Sequence, residues 1–180
     1  MASALPRWVY RAPAQTIDAW QPVLRVRSEL DVCLAEDGSE LLLQLPPGAE
    51  ALRAVPDGAE AIETVCTLTV DGAAAGEAAP WHYVVETNVL PEFDAEFNAW
   101  YDEEHLHGLA AVPGVVRAVR MSRIDGGQPR YHACYDFARR DAFGSPAWLA
   151  VRATPWSTRV RAAFRDTRRL FYRRLAINPG

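Results

Sequence analysis

The chain has 180 residues, 49% of them hydrophobic, and a formal net charge of −4, values that are typical of a globular protein with one domain or two small ones. The negative charge argues against a general nucleic-acid binder, and no apolar run approaches the length of a membrane span. The chain has no lysine, so all of its formal positive charge comes from arginine, which excludes a Schiff-base lysine and a Walker-type phosphate lysine. We therefore expect neither nucleic acid nor a membrane as a partner.

The cysteines and the N-terminal residues predict the compartment. Cys33, Cys66 and Cys134 are widely spaced in apolar, strand-like runs, so they are interpreted as buried structural thiols and not as a disulfide framework or a zinc site. Residues 1–6 lack the charged and apolar regions of a signal peptide. We expect a cytoplasmic protein without a metal site.

The first half, residues 1–70, predicts a faint β-α-β-β-α-β order. Asp37-Gly38 is a strong hairpin dipeptide between two apolar runs. Thr16 is a candidate cap for a helix that Pro22 interrupts. The predicted elements are a strand at Trp8–Tyr10, a helix at Thr16–Arg27, strands at Asp31–Ala35 and Glu40–Leu45, a short helix at Ala49–Val55, and a strand at Ile62–Val70.

After a linker of small residues at 71–80, the second half, residues 81–180, predicts the same order more clearly. Pro113-Gly114 ends its first helix, and Ser145-Pro146 and Thr154-Pro155 each offer a capping hydroxyl followed by proline. The predicted strands are Tyr83–Leu90, Val115–Ile124, Arg130–Phe137 and Leu170–Leu175.

Two βαββαβ units in one chain predict an α+β fold made of tandem ferredoxin-like units. A four-stranded sheet that is covered by helices on one face still has a second face to bury. The two sheets can bury these faces against each other, so we predict an α+β barrel, an intrachain pseudo-dimer. Whether the chain forms a homodimer in addition stays open.

The first helix of the second half carries the candidate chemistry. Residues four apart form one stripe, namely Phe93, Phe97, Tyr101, His105 and Leu109. His105 would be aimed at a core or a cavity, where a histidine can act as general base, and Tyr101 could stabilise an oxyanion. The alternative is that both are packed structural residues. His107 lies about 200° away at 3.6 residues per turn, so we predict no metal pair.

Other polar residues are weaker candidates for a functional role. Alternation places His132, Cys134 and Asp136 on one face of their strand and Tyr131 and Tyr135 on the other. His132 is a candidate second site group, and Asp102 and Glu104 are interpreted as a solvated face, although Glu104 could orient a histidine. The C-terminal arginines, from Arg159 to Arg174, predict a solvated surface, with an anionic ligand or a subunit contact as the alternative.

The second half resembles the dimeric α+β barrel superfamily, most of all its EthD-type branch, over about residues 81–175. The resemblance rests on Phe97, Trp100, Tyr101 and His105, on Leu109 and Val112-Pro113-Gly114, and on Ser145-Pro146-Ala147-Trp148 and Thr154-Pro155-Trp156. The branch usually has a proline soon after the histidine, where this chain has His107-Gly108. The resemblance implies a small, often aromatic ligand bound between helices and sheet, and we predict Phe97, Trp100, His132 and Tyr135 as substrate-binding residues.

The superfamily includes cofactor-free monooxygenases, cyclases, isomerases and haem-binding peroxidases. Our leading hypothesis is a cofactor-free enzyme, an isomerase, cyclase or lyase, that moves a proton on a hydrophobic carbonyl or aromatic substrate with His105 as base and Tyr101 as oxyanion donor. The alternatives are a cofactor-independent monooxygenase and a non-catalytic ligand-binding protein. Haem ligated by His105 or His132 is a further alternative.

Overall fold

The computed structural model describes residues 5–176 and contains eight strands and five short helices in this range. The strands are β1 (Pro6–Pro13), β2 (Asp31–Ala35), β3 (Glu40–Gln44), β4 (Glu60–Asp71), β5 (Trp81–Val89), β6 (Val115–Arg123), β7 (Tyr131–Phe137) and β8 (Phe164–Arg174). The helices are α1 (Ile17–Val26), α2 (Asp94–Trp100), α3 (Leu106–Ala110), α4 (Pro146–Arg152) and α5 (Pro155–Arg161). None of these helices is long and apolar enough to cross a bilayer.

The strands close into one barrel in the order β1-β3-β2-β8-β5-β7-β6-β4. The two halves join through antiparallel pairing of β2 with β8 and of β4 with β6. Each half thus supplies four strands, and the second face of each sheet is buried inside the barrel. The predicted α+β barrel of two ferredoxin-like units is confirmed.

The first half has one helix fewer than predicted. The prediction of a helix at Ala49–Val55 is wrong, because residues 45–59 of the described chain form only turns and irregular structure. Pro46, Pro47 and Pro56 flank the predicted helix, and proline restricts the residue before it to extended backbone. The Tyr10 hydroxyl accepts a hydrogen bond from the Leu52 amide at 2.8 Å, which anchors the segment to the barrel.

Two local predictions about α1 are also wrong. Thr16 does not cap the helix, because its hydroxyl donates to the Pro13 carbonyl at 2.7 Å. Pro22 does not interrupt the helix, which continues from Ile17 to Val26. Both caps predicted in the second half are confirmed: Ser145 Oγ accepts from the Trp148 amide and Thr154 Oγ1 from the Ser157 amide.

The barrel interior combines an apolar cluster with buried ion pairs. Cys33 and Cys134 lie in the cluster, as predicted for structural thiols, and Cys66 packs at its edge. Asp136 Oδ1 lies 2.7 Å from His82 Nδ1 and 3.1 Å from an Arg174 guanidinium nitrogen. These groups hold strands of both halves together, because Arg174 also contacts Asp31 at 2.6 Å.

Helices cover the outside of the barrel in two groups. Helix α1 packs over β1, β2 and β3 and buries Trp20 and Leu24. The four helices of the second half lie over β5, β6, β7 and β8 and enclose an aromatic core. The predicted linker lies beside this second group: the Ala73 amide donates to the Ala110 carbonyl and the Ala74 amide to the Val115 carbonyl.

Candidate functional site

The helix that carries the candidate residues contains one π-helical turn, Tyr101–His105, between α2 and α3. Such turns insert one extra residue and are frequent at functional sites. The His105 ring consequently stacks on Trp100, five residues earlier, with centroids 4.0 Å apart and an interplanar angle of 22°. Tyr101 meets the same ring edge-on at 5.4 Å.

His105 and Tyr101 line a cavity between the helices of the second half and their sheet. Its volume is about 20 Å³, which is room for about one water molecule. The walls are Tyr83, Val85, Trp100, Tyr101, His105, Leu109, Tyr135, Trp148, Arg152, Arg161, Phe164 and Arg169. Of the predicted binding residues, Trp100 and Tyr135 are therefore at the cavity.

His105 is buried and remains uncharged at neutral pH. The residue keeps 5% exposure, and Nδ1 has no hydrogen-bond partner among residues 5–176. Burial, followed by the positive charges of Arg152 and Arg161, lowers the pKa of His105 to about 3. The imidazole is therefore available to accept a proton, but its low pKa makes it a weaker base than an ordinary histidine.

Tyr101 keeps its proton at neutral pH and can donate it in a hydrogen bond. Burial raises the pKa of Tyr101 to about 12, and the nearby charge of Arg120 opposes this rise. The Arg120 guanidinium lies 4.6 Å from the centroid of the Tyr101 ring and donates to Asn98 Oδ1 at 2.7 Å. A protonated phenol beside a fixed positive charge is suited to stabilise a developing oxyanion.

Arg120 was missed by the sequence-based prediction. It is buried on β6, opposite Ala133 of β7, and faces the helices. Strand alternation from Ala118, a residue of the same aromatic core, places Arg120 on the helix-facing side. A charge at a position where the pattern expects an apolar residue was the available signal.

The structure does not bring Phe97 and His132 to this cavity. Phe97 lies behind Tyr101, with ring centroids 5.1 Å apart, and also packs on Tyr131. His132 points into the barrel, where its Nδ1 lies 3.6 Å from Glu86 and its Nε2 3.3 Å from the Pro129 carbonyl. The sheet thus separates His132 from His105.

Three other residues of this helical segment, His107, Glu104 and Gly108, do not line the cavity. His107 is exposed, as predicted. Glu104 accepts a hydrogen bond from Thr154 at 2.7 Å and so ties the helix to the start of α5. Gly108 allows a close helix contact, because a Cβ atom there would lie 2.8 Å from a methyl carbon of Val151 on α4. This contact is a physical reason for glycine at position 108.

No protein-family model matches the sequence, and a search of curated proteins finds no match. Solved structures do share its fold. They include a candidate monooxygenase from Fusobacterium nucleatum subsp. nucleatum, with 12% identity, a TM-score of 0.68, and coverage of 99% of this chain and 95% of the other. An anthrone oxidase-like protein has 14% identity, a TM-score of 0.67, and coverage of 97% and 93%.

A heme-degrading enzyme from Listeria monocytogenes also shares the fold, with 10% identity, a TM-score of 0.62, and coverage of 93% of this chain and 98% of the other. At such low identities the likeness shows the fold alone. The chain therefore has the ferredoxin-like α+β barrel fold of these proteins.

Haem does not fit the cavity of this chain. A macrocycle beside His105 would have to displace Tyr135 and Trp148, which are core residues with 1% exposure each. His132 has both ring nitrogens beside protein oxygens. The chemistry available at the cavity is therefore that of the imidazole, the phenol and the neighbouring guanidinium groups.

Proposed function

We propose that the chain is a small-molecule enzyme that transfers a proton on an aromatic substrate with a carbonyl group, and that it uses no organic cofactor. The observation that carries the proposal is the position of His105 Nδ1, which is buried without a partner among the described residues while its ring meets Tyr101. A buried polar atom of this kind costs stability, so its retention favours a functional role.

In the proposed reaction, the neutral imidazole of His105 accepts a proton from the carbon beside the carbonyl. The electron pair moves onto the carbonyl oxygen, which receives a hydrogen bond from the Tyr101 hydroxyl. Arg120 stabilises the negative charge from behind the Tyr101 ring. Return of the proton to a different atom completes an isomerisation. Attack of the enolate on a second carbonyl of the substrate completes a cyclisation, in which the new alkoxide oxygen takes the proton from His105.

The test is exchange of carbon-bound hydrogen for deuterium in D₂O, which detects proton abstraction whatever the final product. Phenylpyruvate and phenylacetone are the probes, because each has an acidic CH₂ between a ring and a carbonyl. We expect His105→Ala to lose the exchange, and His107→Ala, an exposed histidine on the same helix, to retain it. Exchange that persists in His105→Ala, or no exchange with either probe, contradicts the proposal.

A cofactor-independent monooxygenase is the second candidate. It is favoured by the fold shared with a candidate monooxygenase and an anthrone oxidase-like protein. The same carbanion would react with dioxygen, so that a CH₂ group becomes a carbonyl and one oxygen atom leaves as water. An oxygen electrode with anthrone as probe distinguishes the two functions, because only the oxygenase consumes dioxygen.

The second half is also proposed to belong to the EthD-type branch, on the residues Phe97, Trp100, Tyr101 and His105, which share one helix beside the cavity. Non-catalytic ligand binding is the competing interpretation of the same residues. It requires that His105→Gln binds a probe as the unmodified chain does and that neither protein accelerates exchange.

A further inference from the structure

Three arginines from three separate elements line the cavity of His105. Arg152 is the last residue of α4, Arg161 is the last residue of α5, and Arg169 lies on β8. Arg152 and Arg161 are partly buried, and Arg169 is exposed. The fold therefore places the last residues of two helices and one residue of a strand around one entrance of the cavity, which we call the opening.

These arginines differ from most others in the chain because they have no acidic partner within the part of the chain that the structure describes. Arg168, one residue before Arg169, lies 2.7 Å from Glu40 and 2.8 Å from Glu86. By contrast, no carboxylate of residues 5–176 lies within 4.0 Å of Arg152, Arg161 or Arg169, and none lines the cavity. The positive charge at the opening is therefore not neutralised by this part of the protein.

Three neighbouring guanidinium groups repel one another. Burial and then the charges of Arg152 and Arg169 lower the pKa of Arg161. The repulsion within such a cluster costs free energy, and a bound anion offsets this cost. Planar guanidinium groups also match carboxylates by paired hydrogen bonds.

The other walls of the cavity are mostly aromatic. Tyr83 packs on Tyr135 and on Trp148, with ring centroids 6.2 Å apart in both pairs. These rings offer apolar faces to a flat ligand, and Phe164 contributes another beside the arginines. The lining thus combines a positively charged opening with aromatic walls.

We propose that the substrate of this site is an aromatic carboxylate, with its acid group held by Arg152, Arg161 and Arg169 and its reacting carbon directed at His105. This inference rests on the proposed function in one respect, namely that the cavity is the substrate site. The volume of about 20 Å³ admits only a small group, so binding of the acid requires the long side chains of Arg152 and Arg161 to move.

An acid bound at this position also changes His105. The two arginines that disfavour its protonated form would be neutralised by the carboxylate, and the negative charge would favour the imidazolium. The substrate would thereby make His105 a stronger base at the moment when a base is required. A neutral analogue would bind without this effect.

The test is calorimetric binding of two matched pairs of compounds, phenylpyruvate against phenylacetone and benzoate against benzamide. We expect the acid of each pair to bind at least about tenfold more tightly, because its carboxylate forms charge-assisted hydrogen bonds with the guanidinium groups and the neutral compound does not. Arg161→Gln and Arg152→Gln should remove most of this preference. Arg173→Gln, which removes an exposed arginine of β8 remote from the cavity, should preserve it.

Equal binding of acid and neutral compound, binding of neither pair, or an unchanged preference in both arginine variants overturns the proposal. Arg169→Gln, at an exposed position, provides a third variant should either of the others fold poorly, which circular dichroism would show. Failure of the proposed function is separately visible. Arginine-dependent binding without deuterium exchange rejects the proposed proton transfer but not the acid-binding site. Deuterium exchange without a preference for the acid rejects the acid-binding site but not the proton transfer.

Discussion

Trp100 and His105 stack at 4.0 Å although they are five residues apart in one helix. In a regular α-helix, partners on one face are three or four residues apart. The π-helical turn from Tyr101 to His105 accounts for the difference, because its extra residue brings His105 onto the same face of the helix as Trp100. The turn thereby covers one face of the His105 ring with an indole and leaves its edge to Tyr101.

The low pKa of His105 predicts a pH dependence of folding. An unfolded histidine protonates near pH 6.5, whereas folded His105 stays neutral down to about pH 3. Its folded pKa is depressed, so the unfolded state binds more protons between these values. His105 thus costs stability as the pH falls below about 6.5, by up to about 1.4 kcal/mol per pH unit.

Urea denaturation of His105→Gln and the unmodified chain at pH 7.5 and pH 5 measures this effect. We expect the variant to lose less stability on acidification, by at least about 1 kcal/mol. His107→Gln should follow the unmodified chain, because His107 is exposed. Identical pH dependence in all three proteins would contradict the burial of an uncharged His105.

Tyr101→Phe should lower turnover without changing the fold. Loss of one oxyanion donor costs about 100- to 1,000-fold in kcat. The matched control is Tyr131→Phe, because the Arg120 guanidinium carbon also lies 5.1 Å from the centroid of the Tyr131 ring, but Tyr131 does not line the cavity. The measurement is the exchange rate of phenylpyruvate in D₂O, and equal rates for both variants would exclude a special role for Tyr101.

Much of the fold could be predicted from local patterns. The alternation of β7 separates the residues under the helices, such as Tyr135, from those inside the barrel, such as His132 and Cys134. The Ser145 and Thr154 caps follow from a hydroxyl before proline. These features depend on neighbours in the chain, so the sequence displays them directly.

The site could be predicted only in part, because its geometry depends on contacts between distant elements. The helical period of 3.6 residues indicated the inward direction of Tyr101 and His105 but not the π-helical turn that pairs His105 with Trp100. The arginines of the opening lie on α4, α5 and β8, and only the folded barrel brings them together. Alternation within β6 was sufficient to find Arg120, but the prediction did not use it.

Asp136 is expected to be a major source of stability inside the barrel. Burial opposes its charge, but hydrogen bonding from His82 and the charges of Arg174 and Arg117 prevail and hold the pKa of Asp136 well below its usual value. A carboxyl with a lowered pKa stabilises the fold above its unfolded pKa, near 4, and loses this contribution as the pH falls further.

Asp136→Asn should therefore cost about 1–3 kcal/mol in the free energy of unfolding at pH 7, because buried His82 loses its charged acceptor while Arg174 keeps Asp31 as a partner. Asp141→Asn is the matched control, since the Asp141 side chain is 86% exposed and lies 3.6 Å from Arg139. Urea denaturation provides the comparison. A cost below about 1 kcal/mol for Asp136→Asn would mean that the ion network contributes little.

Gly108→Ala tests whether the contact between α3 and α4 shapes the cavity. Alanine favours a helix over glycine by about 1 kcal/mol, but its Cβ would lie 2.8 Å from Val151, and such overpacking costs about 1–3 kcal/mol. We expect net destabilisation and weaker binding of phenylpyruvate, because α4 also carries Trp148 and Arg152.

Val151→Ala removes the two methyl groups that a Cβ at position 108 would meet. In a double-mutant cycle of urea denaturation, Gly108→Ala should therefore be less harmful, or even stabilising, when Val151→Ala is also present. A coupling energy of at least about 0.5 kcal/mol is expected for residues in direct contact. Additive effects would show that α4 shifts at little cost in free energy and that Gly108 does not determine the position of α4 beside the cavity.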